Sequence, residues 1–157
     1  VSVVVRKPAP EEMRAVGKLA ADMVRMHHVL DPKRFLLVEP IEAGYTRFLT
    51  SMVDDPRSVV LAAVDDDLGV VGYAYGRLES RDWNRLLDEH GKLHDIAVDE
   101  RARQRGVGAL LGREVLARLR AMGAKRIMLD TAWSNEGAQR LFKSLGFRPT
   151  MIEMQTE

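Results

Sequence analysis

Cysteine is missing from all 157 positions of the chain. That absence excludes disulfides, thiolate metal sites and a cysteine nucleophile. It fits a reducing compartment, and a cytoplasmic protein is the expectation. An excess of charge is missing too. The 24 Lys and Arg residues stand against 23 Asp and Glu, for a formal net charge of +1. Such balance gives no support to a nucleic-acid-binding face or a polybasic membrane anchor. No stretch approaches the ~18 apolar residues in a row that cross a bilayer. The apolar start, Val1 to Val5, is short. Arg6, Lys7 and two prolines follow it, so it reads as a strand and not as a signal peptide. There is no internal repeat and no low-complexity tail. What remains is 46% apolar and 30% charged, enough for the core of one ordinary domain.

Hydrophobic periodicity divides that domain. A strand is expected over residues 2–6, closed by Pro8 and Pro10. Met13, Val16, Leu19, Ala20, Met23 and Val24 then form one helical stripe to about His27. Asp31-Pro32 breaks it. A second helix, Ile41 to Met52, turns Tyr45, Phe48, Leu49 and Met52 inward and ends at Asp54-Asp55-Pro56. Val59 to Val64 and Val70 to Leu78 read as a hairpin around Asp65-Asp66-Asp67-Leu68-Gly69. Residues 79–91 are polar and irregular apart from Leu86-Leu87, with room for a short helix. Then come a strand at Leu93 to Val98, a helix at Gly106 to Met122 and a strand at Ile127 to Thr131. A helix at Ala138 to Leu145 and a last strand at Phe147 to Met154 complete the chain. Strand, long helix and strand between 93 and 131 form a crossover unit, which requires parallel pairing there. The expected architecture is α/β: a single-domain mixed, mostly antiparallel sheet with helices on both faces.

Within the crossover sits Arg103-Gln104-Arg105-Gly106-Val107-Gly108, between an apolar strand and a helix. Glycine lets a ligand approach the backbone closely, and the first amides of a helix have no partner within it. Two arginines add positive charge. This is the geometry of a diphosphate seat. Two familiar phosphate motifs fail. Gly108 is followed by Ala109-Leu110 and not by Lys and Ser/Thr, and Asp99 to Arg103 separate the strand from the glycines. A nucleotide-phosphate enzyme is therefore poorly supported.

The segment from Val98 to Leu111 resembles the acyl-coenzyme A signature of the Gcn5-related N-acetyltransferase family. A second segment, Asn135 to Phe147, resembles a later motif of the same family, in the family's order and separation. The likeness is firm over residues 93–150 and looser elsewhere. It implies the acyl-CoA N-acyltransferase fold, acetyl-CoA as cosubstrate, and transfer to a primary amine in a ternary complex. It assigns Arg103, Gln104, Arg105, Gly106, Val107, Gly108 and Ala109 to the pyrophosphate. Ile96 and Val98 fall to the pantetheine arm, with the Val98 amide as oxyanion donor. Asn135 and Phe142 join them as coenzyme contacts.

An ammonium has no lone pair, so a base must take its proton. His94, Asp95 and Glu79 are the candidates. Alternation along a strand places His94 with Ile96 and Val98 and sends Asp95 the other way, unless a bulge reverses the order. Many family members carry a tyrosine at the position of Phe142, suited to protonating the leaving thiolate. Phenylalanine has no acidic hydrogen. That departure keeps a second class open: a non-catalytic acyl-coenzyme A sensor.

The resemblance also points to the end of the first helix, the loop to the second, and residues 79–91 as walls of the acceptor pocket. His28, Asp31, Phe35 and Trp83 are the residues expected there. The acceptor is expected to be a small molecule. A polyamine, an amino acid, an aminoglycoside-like compound and a protein N-terminus all stay open. His27-His28 with Asp31 lacks the spacing of a metal site, and no metal, nucleic acid or membrane partner is expected. Exposed sheet edges or the last strands are compatible with a homodimer.

Overall fold

A computed structural model describes residues 2–157; Val1, the first residue of the apolar start, lies outside them. The first strand, β1 (Val3–Arg6), leads through a 3-10 turn at Pro10–Glu12 into α1 (Met13–Leu30). Glu12 fixes this entry by accepting from the Ala9 amide and from Arg6. A loop and Pro40 precede α2 (Ile41–Val53). The hairpin β2 (Ser58–Asp65) and β3 (Gly69–Glu79) follows, then β4 (His90–Val98). A 3-10 turn at Glu100–Ala102 leads to α3 (Val107–Ala121). The chain returns as β5 (Ile127–Met128) and ends its regular structure with α4 (Glu136–Ser144).

The five strands lie in sequence order. All neighbours are antiparallel except β4 and β5, which run parallel across the α3 crossover. The period-2 pattern of β2 and β3 supplies both faces of the sheet. One face sends Leu61, Val71 and Ala74 against Val107, Leu111 and Val115 of α3. The other sends Val60, Tyr73 and Tyr75 against Val16, Leu19 and Leu49 of α1 and α2. Burial of these side chains is the main favourable term, at about 1.5–3 kcal/mol for each large one.

The expected last strand, Phe147 to Met154, does not form. Residues 149–157 have no regular structure, and Pro149 removes a ladder donor from the segment. Side chains hold this tail instead: Glu153 pairs with Arg34, and Gln155 Nε2 donates to the Lys33 carbonyl at 3.1 Å. The strand expected at Ile127 to Thr131 stops at Met128, because its pairing with β4 ends there. Residues 79–91 hold no helix. Asp82 bridges Leu87 across a turn and accepts from the amides of Asn84 and Arg85.

Candidate active site

The parting of β4 from β5 builds the site. The two strands pair at Gly91 with Ile127 and at Lys92 with Met128, and no further. Immediately beyond, β4 bulges. Tyr75 pairs with Asp95 and Gly76 with Leu93, which leaves His94 as an extra residue against β3. The bulge resets the alternation. The Asp99 amide donates to the Val71 carbonyl of β3 at 2.7 Å. Ala97, two residues back, therefore also turns its amide to β3, and Ile96 and Val98 turn theirs to the gap that β5 has left. A cleft of about 820 Å³ fills this gap, walled on one side by Asp95, Ile96 and Val98 and on the other by Leu129, Asp130 and Thr131.

At one end of the cleft lies the glycine-rich loop. Gly106 has φ +77° and serves as the N-cap of α3, and Gln104 is also left-handed at φ +63°. Gly106 adopts this conformation freely; Gln104 does so against the usual preference. The turn leaves the amides of Gln104, Arg105, Gly106, Val107, Gly108 and Ala109 without an acceptor among the described residues. Six donors thus cluster at the positive end of a 15-residue helix. Gly108 lines the cleft directly. A Cβ there would lie 3.2 Å from the Leu141 side chain and 3.8 Å from that of Val98. Val107 is buried beneath the loop, while Ala109 is half-buried on α3.

The arginines in and before the loop also bond to the protein's own acceptors. Arg105 reaches back to Asp65 at 2.8 Å, beside the β2–β3 turn. This guanidinium, with the Asp67 and Leu68 amides, lowers the Asp65 carboxyl to about 2. Arg103 donates through Nε to the Val98 carbonyl at 3.2 Å. Arg101 grips Asp99, which also accepts from the Arg101 amide, and the carboxyl falls to about 2. Arg105 and Arg103 therefore tie the loop to the sheet, beside the row of main-chain amides.

At the other end lies a group of ionisable side chains. Asp95 faces α1 and α2, where Tyr73 Oη donates to its Oδ2 at 3.2 Å. Burial pushes its carboxyl above the usual range; the Tyr73 hydroxyl and nearby His94 and His27 offset part of the rise. Tyr73 is fully buried, and burial raises its hydroxyl well above 10, with the Asp95 charge adding to the effect. His94 stacks on Tyr75 with ring centres 5.0 Å apart, which puts it on the same face as Asp95. The parity argument that set His94 with Ile96 and Val98 is thus overturned by the bulge. His94 Nε2 lies 2.7 Å from Glu79 Oε1; His94 lines the cleft and Glu79 stands behind it, off the lining.

The remaining expected residues divide. Phe35, Asn135 and Phe142 line the cleft. Asn135 is also the N-cap of α4, accepting from the Ala138 amide at 3.1 Å. Phe142 is buried and meets Phe147 edge to face, so nothing acidic stands at that point of the wall. His28, Asp31 and Trp83 do not line the cleft. His28 Nδ1 donates to the Phe35 carbonyl at 2.8 Å and anchors the loop that carries Phe35. Asp31 accepts from the Arg34 amide in the turn after α1. Trp83 is 76% exposed, with Arg81 over its ring.

Cleft residues outside the expected set include Tyr45, Phe48 and His27. His27 Nδ1 donates to the Met23 carbonyl at 2.8 Å. Tyr45 and Phe48 carried a signal, since both lie on the inward stripe of α2. No group of three or more metal-binding side chains is assembled among the described residues. None of the described helices is long and apolar enough to cross a membrane.

The structure superimposes on a mutant of the BH1408 protein from Bacillus halodurans with a TM-score of 0.83, at 23% identity, covering 98% of each chain. It is similar to an aminoglycoside N-acetyltransferase, AAC(6')-Iy, in complex with CoA, with a TM-score of 0.76 at 18% identity over 99% of this chain and 94% of that one. It is also similar to glucosamine-6-phosphate N-acetyltransferase from Arabidopsis thaliana, with a TM-score of 0.72 at 14% identity over 100% and 99% of the two chains. No curated protein sequence matches the chain. The model of one family does match, over residues 23–147, which span the cleft, the loop and all but the first strand. On that match the chain belongs to the acetyltransferase (GNAT) family.

Proposed function

We propose that the protein transfers an acetyl group from acetyl-coenzyme A to the primary amine of a small molecule, with both substrates bound together. The observation that carries this reading is the row of six unpartnered amides beside a gap where two parallel strands separate. Such a row suits a pyrophosphate, and the free edge of β4 suits an amide-bearing arm. When bound, acetyl-coenzyme A supplies a thioester, whose acyl carbon accepts the nitrogen.

Asp95 is the base in this scheme. It lines the cleft, and burial raises its affinity for protons, which suits it to take one from an ammonium. Tyr73 orients it by donating to Oδ2. The freed nitrogen bonds to the acyl carbon, and the Val98 amide donates to the carbonyl oxygen as negative charge develops there. The carbon–sulfur bond breaks, and the nitrogen's second proton goes to the departing sulfur directly or through water. Phe142 supplies no proton. His94, hydrogen-bonded to Glu79, lines the cleft near Asp95.

Phe142 also favours a second reading, a protein that binds acyl-coenzyme A without turning it over. Thiol release from acetyl-coenzyme A across a panel of amines separates the two. Amine-dependent release, lost in Asp95→Asn, is the expected result. Tight coenzyme binding with no release by any amine would establish the second reading.

A further inference from the structure

The acceptor half of the cleft has a chemistry of its own. Met23 and Met26 from α1, Phe35 and Val38 from the following loop, and Ile41 and Phe48 from α2 form its wall. Much of this wall is open to solvent: Val38 is 63% exposed, Phe48 45% and Met26 39%. Leu36, beside them on the cleft, is 78% exposed. Single exposed apolar residues are ordinary, but a contiguous set around one opening marks a binding surface.

Charge in the cleft is sparse and mostly already paired. Two carboxylates line it, Asp95 and Asp130. Asp130 stands across the gap beyond β5, with Lys92 at 3.1 Å and Arg85 at 3.9 Å. Arg34 is the cleft's guanidinium, and Glu153 of the tail engages it. On the α1–α2 side Asp95 is therefore the one anionic group among the described lining residues. A polyamine or an aminoglycoside brings several ammonium groups, and each left in an apolar wall without an acid loses hydration for nothing. The carboxylate of a free amino acid would need an unengaged cation.

We infer that the acceptor is a monoamine on an apolar, ring-bearing body, with its nitrogen at Asp95 and its body against the α1–α2 wall. The inference rests on the acetyltransfer reading for its chemistry, but the site can be tested apart from turnover. Phe35, Phe48 and Tyr45 offer ring edges and faces, which suit a flat ring better than a bare chain. One acid and one apolar wall match one ammonium and one apolar body.

Phenethylamine, hexylamine, spermidine, kanamycin and leucine serve as probes. Calorimetry on the coenzyme A-loaded protein reads binding, and thiol release from acetyl-coenzyme A reads transfer. A buried ring of on the order of 100 Å² corresponds to about a hundredfold, so kcat/KM for phenethylamine should exceed that for spermidine by about that factor. Leu36→Glu with Val38→Glu alters exposed positions that the fold does not need. It should cut the preference about tenfold and improve spermidine. Preference for spermidine, kanamycin or leucine would overturn the inference and leave acetyltransfer standing. Phenethylamine binding with no transfer to any amine would support the site and overturn acetyltransfer. If neither apolar amine binds or reacts, the inference fails.

Discussion

The two ends of the cleft present different kinds of group. The loop end presents main-chain donors, fixed by one left-handed glycine and by helix geometry. The acceptor end presents side chains from α1, α2, the loop between them and β4. A backbone site depends on where the chain turns, and tolerates many side chains. A side-chain site depends on which residues meet, and can be rewritten without disturbing the fold. One end is thus suited to a constant partner and the other to a variable one.

Substitutions can break this division. The largest effect is expected for Asp95→Asn, which should lower kcat by about 10²–10⁴-fold and leave coenzyme A affinity unchanged. Tyr73 can still donate to the new amide oxygen, so the fold should persist. Equal loss of coenzyme affinity in a titration would blur the boundary between the ends.

Next comes Gly106→Val. The φ of +77° strains a side-chain-bearing residue by about 1–2 kcal/mol, more for a branched one. Coenzyme affinity should fall about tenfold, with the KM for the amine nearly constant. A change confined to the amine would contradict the assignment of the loop.

Asp65→Asn gives a smaller effect, read in acid. The Asp65 carboxyl titrates lower in the folded than in the unfolded chain. Its contribution to stability is therefore complete above pH about 4 and fades as the pH falls towards about 2. Chemical denaturation across that window should show a shallower acid loss in the variant than in the parent. Identical slopes would mean that Arg105 is not tied to Asp65 in solution.

The smallest effect is expected for Phe142→Tyr. Phe142 is 8% exposed and packed on Phe147, so a hydroxyl must find room before it can act. A change in kcat within about threefold is expected, since a thiolate is a tolerable leaving group. A rise of about a hundredfold would show that sulfur protonation limits the parent.

The same division explains what could be read from sequence. The turn into α3 was legible because it lies within one stretch, Arg103 to Ala109, whose glycines and helix start are local signals. The strands β1 to β4 and the four helices followed from periodicity, within a few residues at their ends. The partners of Arg105 and Arg103 were not legible, because Asp65 lies 40 positions away and the Val98 carbonyl carries no sequence signature. His94 was misdirected by alternation, since nothing in His94-Asp95-Ile96 announces an extra residue. Tyr73 reads as an ordinary strand aromatic until Asp95 is seen opposite its hydroxyl. The last strand failed for a related reason: its apolar pattern was present, but an available edge is a property of β5 and not of residues 147–154.

Asp65 divides its two oxygens between distant duties. Oδ1 accepts from the Asp67 and Leu68 amides at the tip of the β2–β3 turn, and Oδ2 takes Arg105 from the loop. One carboxylate thus ties the hairpin tip to the glycine-rich loop. Stiffening of residues 103–106 on coenzyme arrival should reach that tip as slower deuterium uptake at Asp67 and Leu68, and Asp65→Asn should silence the signal.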